Sequence, residues 1–147
     1  MNKTIIGIYG RANEGKSSSI KLVCQKILRD YPNTSVPEEV NYSGDIFVII
    51  NLGSIRIGIE SQGDPKSRMI SEDTIRKLAE AKCDIIICAT RTGGETVKKV
   101  DTIADEFDYH TLWLSSFWSP SLNNNVLNDQ LSDVIIEFIR SLIVCQL

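Results

Sequence analysis

Residues 10–17 read GRANEGKS, directly behind TIIGIY at residues 4–9. The first stretch is apolar and β-branched, as a buried strand requires. The second places Gly10 and Gly15 on either side of four residues and follows them with Lys16 and Ser17. Behind it, Ile20, Val23, Ile27 and Leu28 recur at helical spacing, so a helix is expected from Lys16 to about Arg29. A strand that turns sharply into a helix needs glycine where φ is positive or the backbone must approach a ligand closely. Successive N–H groups in such a turn form an anion-binding concavity, and the helix start adds unpaired donors and positive dipole. The residues expected to touch a phosphate are Gly10, Arg11, Ala12, Asn13, Glu14, Gly15, Lys16, Ser17 and Ser18. Lys16 would reach the β- and γ-phosphates, and Ser17 would offer its hydroxyl to Mg²⁺.

With its strand before and helix after, Gly10–Ser17 resembles the Walker A loop of the P-loop NTPases. Working outward, the chain reads β-α-β-β-α-β-α-β-α. IFVIINL (residues 46–52) and SIRIGIE (54–60) are separated only by Gly53. That gap is too short for a parallel crossover, so the two strands must be antiparallel. A helix is expected over residues 71–81 with Ser71 as N-cap, a strand over 83–89, a helix over 94–107, a strand over 110–114 and a helix over 126–144. The expected fold is therefore one α/β domain over residues 1–147. It is a three-layer α/β/α P-loop NTPase fold with a mainly parallel sheet of about five strands and one antiparallel edge strand.

The element order is similar to that of the small Ras-like GTPases. In that family the strand after the hairpin ends D-x-x-G, and Glu60-Ser61-Gln62-Gly63 matches with glutamate for aspartate. The resemblance implies that Glu60, with Ser17, holds Mg²⁺, and that the Gly63 N–H senses a γ-phosphate. It also implies two switch loops, over residues 30–45 and 60–70, through which a protein partner would read the nucleotide. Thr34 and Ser35 lie in the first of them, as metal-facing or plain loop residues. Asp64 stands where the family has a water-positioning glutamine. Ala89-Thr90-Arg91-Thr92 stands where its guanine reader would follow the strand. No aspartate is present there to pair with guanine, so ATP is the expected ligand and a divergent GTPase the alternative.

Arg91 follows a strand at the end where open α/β sheets bind ligands, and is the internal candidate for offsetting transition-state charge. Phe117 and Trp118 would stack on a base, form an exposed patch or pack against the last helix. Thr90 would orient a water. The catalytic set is thus Lys16, Glu60 and Arg91.

The chain carries 16 Lys and Arg against 19 Asp and Glu, a net charge of −3, which argues against a broad nucleic-acid footprint. Its 42% hydrophobic content suits an ordinary globular domain. No stretch approaches the length of a membrane helix, and residues 1–10 lack the apolar core of a signal peptide, so a cytoplasmic protein is expected. Cys24, Cys83, Cys88 and Cys145 are scattered and have no metal-binding spacing. Three functions remain open: a slow ATPase or nucleotide-dependent switch, a small-molecule or nucleotide kinase, and a domain that binds nucleotide without turnover.

Overall fold

A computed structural model describes residues 1–147 as an α/β domain built on a mixed sheet of six strands. In chain order the elements are β1 (Thr4–Tyr9), α1 (Lys16–Asp30), β2 (Thr34–Ser35), β3 (Phe47–Leu52), β4 (Ile55–Glu60), α2 (Arg68–Ser71), α3 (Thr74–Glu80), β5 (Ile85–Thr90), α4 (Glu95–Phe107), β6 (His110–Ser115) and α5 (Asn124–Ile143). Across the sheet they run β2-β3-β4-β5-β1-β6. β1 lies between β5 and β6 and is parallel to both, with Ile5 opposite Ile86 and Thr111. A strand hydrogen-bonded on both edges and packed on both faces reads as an unbroken apolar run, as TIIGIY and IIICAT do.

Helices cover both faces. On one, Ile6, Ile8, Ile85 and Ile87 meet Ile20, Val23 and Ile27 of α1 and Leu131, Ile135 and Ile139 of α5. On the other, Ile5, Ile86 and Cys88 meet Ile75 and Leu78 of α3 and Val100 and Ile103 of α4. Alternation along each strand thus feeds two separate cores. α1 and α5 are further joined by Lys26, whose ammonium pairs with Asp129 at 2.7 Å and Asp133 at 2.8 Å. No helix is long and apolar enough to cross a membrane.

Two expectations differ from the structure. β3 is antiparallel to β4, as the one-glycine turn requires, but it is not the edge: β2 pairs outside it through Thr34–Leu52 and Ser35–Asn51. The sheet therefore has six strands. Second, residues 71–81 do not form one helix. Ser71 ends α2, and Asp73 adopts φ 52°, a left-handed turn that separates α2 from α3. The Asp73 carboxylate is held by Arg76 and Lys99 and caps no N–H. β5 stands between β1 and β4, so the strand that ends at Glu60 does not touch the strand that feeds Gly10.

Candidate functional site

A cleft of about 450 Å³ opens at the carboxyl ends of the parallel strands. Its floor is the turn from β1 into α1. Gly15 sits at φ 82° and Asn13 at φ 60°, so the loop makes two left-handed steps before the helix begins. A Cβ on Gly15 would also overlap the Asn128 side-chain amide of α5, which leaves glycine as the residue that fits. α1 starts on Gly15 with no side-chain cap, and its first-turn N–H groups belong to Lys16, Ser17 and Ser18, all on the cleft wall. Those donors have no intrahelical partner. Glu14 turns back and accepts from the Arg11 N–H at 3.2 Å, tightening the loop.

Lys16 is only 7% exposed. Its ammonium donates to the carbonyls of Gly10 at 2.6 Å and Thr90 at 2.7 Å, tying the loop to the end of β5. Burial, and then the nearby charge of Arg91, hold Lys16 below the usual lysine range, with Asp64 and Glu14 pulling the other way. A lysine held against two neutral carbonyls, with its charge only partly offset, is suited to accepting an anion.

The opposite wall comes from the loops after β2 and β4. Asp45, just before β3, accepts on Oδ1 from the Ser17 hydroxyl at 2.6 Å and the Ser61 hydroxyl at 2.8 Å. No lysine or arginine pairs with it, and all three residues line the cleft. Ser61 is fixed in turn, because its hydroxyl accepts from the Ile46 N–H at 2.7 Å. Gln62, Gly63 and Asp64 continue this wall over the end of β5. A Cβ on Gly63 would overlap the Ala89 carbonyl, so this crossing also requires glycine. The far end of the cleft carries Trp118, 47% exposed, with Asn124 and Asn128 of α5. The Asn124 amide is committed to Ser119, closing the loop that presents Trp118.

The structure brings together Ala12, Asn13, Glu14, Gly15, Lys16, Ser17, Ser18 and Gly63, with Gly10 and Arg11 at the loop's entry. It does not bring Glu60 to Ser17. Glu60 is fully buried, accepts from the Arg68 guanidinium at 2.8–3.2 Å and from the Gln62 N–H at 3.0 Å, and stays off the cleft wall. The carboxylate beside Ser17 is Asp45. Arg91 is drawn to Asp64, 2.8 Å away, and does not line the cleft. Thr34 and Ser35 belong to β2, with Thr34 bonded to the Tyr31 carbonyl, and face no part of the site. Ala89–Thr92, expected at the base-reading end, runs past the Gly63 end instead.

Asp45, Ser61, Gln62, Asn124 and Asn128 are the cleft residues that motif reading did not assign. Asp45 had one local signal, a lone acid in SGD at the end of a long polar loop. Asn128 had none, because its approach to Gly15 depends on how α5 crosses α1. No cluster of three or more His, Cys, Asp or Glu side chains is present that would hold a metal by protein ligands alone. A Mg²⁺ bound chiefly by phosphate oxygens and water needs only one or two protein oxygens, and Ser17 with Asp45 meets that need. No protein-family model, curated protein or solved structure matches the chain.

Proposed function

We propose that this chain is a P-loop NTPase domain of the three-layer α/β/α kind that binds a nucleoside triphosphate, ATP first, with Mg²⁺. The observation that carries the reading is the Gly10–Ser18 turn: an uncapped helix start and a buried ammonium facing one cleft from one loop. In this reading the N–H groups of residues 13–18 hold the β-phosphate, and Lys16 leaves the Gly10 and Thr90 carbonyls for the β- and γ-oxygens. Ser17 and Asp45 hold Mg²⁺, which offsets charge on the same oxygens. Asp45 replaces Glu60 in that role because its Oδ2 carries no hydrogen bond and its charge no cationic partner. The Gly63 N–H lies on the γ-phosphate side.

Trp118 offers a flat surface to the base, and residues 115–128 contain no Asp or Glu to pair with guanine. This supports ATP over GTP on firmer ground than residues 89–92. No arginine lines the cleft, so slow turnover is the expected output, with the loops over residues 30–45 and 60–70 responding to nucleotide as a cytoplasmic switch. Titration with ATP and GTP, each with and without Mg²⁺, followed by single-turnover phosphate release, tests the reading. ATP binding strengthened by Mg²⁺ with release far slower than one per second is the expected result. GTP binding at least tenfold tighter, or release at tens per second without a partner, would contradict it.

A further inference from the structure

The Ser61 N–H donates to the Ile46 carbonyl at 3.0 Å, and the Ile46 N–H meets the Ser61 hydroxyl, so the backbone of Ile46 faces β4. Alternation along the strand then turns Val48, Ile50 and Leu52 toward β4, and Phe47, Ile49 and Asn51 away from it. Asn51 finds Ser35 of β2. Continuing that register places Pro37 opposite Ile49, and proline has no N–H to give. The ladder stops there. Neither Phe47 nor Ile49 takes part in any hydrogen bond outside the ladders, so two N–H and two C=O groups stand open on the sheet edge.

The chain between Pro37 and Asn41 bows away from this edge and leaves a groove of about 520 Å³. Phe47, 39% exposed, gives it an apolar floor. Glu38 and Glu39 line it and pair with no lysine or arginine. Arg68 also reaches the groove, its guanidinium 5.9 Å from the centre of the Phe47 ring and paired with buried Glu60 at 2.8 Å. Open main-chain groups, an apolar floor and uncompensated acids are the features that receive an added strand.

We propose that the β3 edge is a docking site for an extended, lysine- or arginine-rich segment of a partner protein, which pairs with Phe47 and Ile49 while its cations meet Glu38 and Glu39. A second copy of this chain is disfavoured as occupant, because edge-to-edge pairing would bring two acidic rims together. The proposal stands independently of the nucleotide.

The probe is a blocked hexapeptide of alternating lysine and valine, with three comparisons: an alternating glutamate–valine peptide, a lysine–valine peptide N-methylated at alternate residues, and the Glu38→Lys/Glu39→Lys protein. Both glutamates are exposed, so the double variant keeps the fold. The expected result is binding of the basic peptide with at least tenfold slower amide exchange at Phe47 and Ile49. The acidic and methylated peptides should bind at least tenfold more weakly, and the double variant should reverse the charge preference. No protection at Phe47 and Ile49, equal binding by the methylated peptide, or concentration-dependent self-association protecting the same amides without peptide would each overturn it.

Discussion

The two walls of the cleft are held by different means. The Gly10–Ser18 wall is made of main chain, and Gly15 fits against Asn128 with no room for a side chain. Its donors are N–H groups whose directions are set by the loop and by α1. The Asp45–Asp64 wall is made of side chains, with Ser61 of the same wall and Ser17 of the opposite one both donating to one oxygen of Asp45. The first wall is preorganised, so binding there requires little rearrangement. The second depends on hydrogen bonds of roughly 1 kcal/mol each, which a bound cation would displace. If the cleft binds nucleotide as proposed, the loops over residues 30–45 and 60–70 are therefore the part of the molecule that it would reset. Asp45 also borders the groove beside β3, which makes it the one residue shared by the two surfaces.

The largest effect should fall on the first wall. Lys16→Ala is expected to weaken ATP affinity about a hundredfold, roughly 2.8 kcal/mol, in a calorimetric titration, with the helical signal retained. Unchanged affinity would mean that the lysine serves only the Gly10 and Thr90 carbonyls. Gly63→Ala tests the crossing of β5. The added methyl would meet the Ala89 carbonyl, and urea unfolding should show a loss of about 1–3 kcal/mol. A stability equal to the parent's would place that loop farther from β5.

The two carboxylates separate most clearly as a pair. Glu60→Gln should cost about 2 kcal/mol of stability, because it leaves Arg68 without its charged partner, while Mg²⁺ still strengthens ATP binding. Asp45→Asn should do the reverse: stability close to the parent's, and an affinity gain from Mg²⁺ reduced about tenfold, near 1.4 kcal/mol. The opposite pattern would return the metal to Glu60. The smallest effect belongs to Arg91→Ala. With its guanidinium held by Asp64, removal should change single-turnover phosphate release less than about threefold, or roughly 0.7 kcal/mol. A much larger loss would show that Arg91 swings into the cleft during the reaction.

The same contrast explains what could be read from the sequence. The β1–α1 wall is local: eight consecutive residues contain the strand exit, both glycines, the lysine and the helix start, so their spacing states the geometry. β1 and β5 were legible because their apolar runs are unbroken, and the antiparallel hairpin because one glycine cannot support a crossover, whereas the two-residue β2 has no such run and was not. Sheet order was not legible. Nothing in IIICAT tells that it inserts between β1 and β4, and that insertion removes Glu60 from the site. Asp45 and Ser17 are 28 residues apart and meet only once β3 and α1 pack on the same sheet. The edge at Phe47 and Ile49 was hidden for a related reason. Pro37 marks a break in any sequence, but its position opposite Ile49 depends on the register of β2.

If the Gly10–Ser18 turn receives phosphate through its main-chain N–H groups, backbone amide resonances report on those groups directly. With ¹⁵N-labelled protein, ATP and Mg²⁺ should move the amides of Asn13 through Ser18 most, saturably, and ADP should move most of the same set. Saturable binding that leaves those amides in place, with the largest changes elsewhere on the molecule, would contradict the assignment of this turn as the phosphate site.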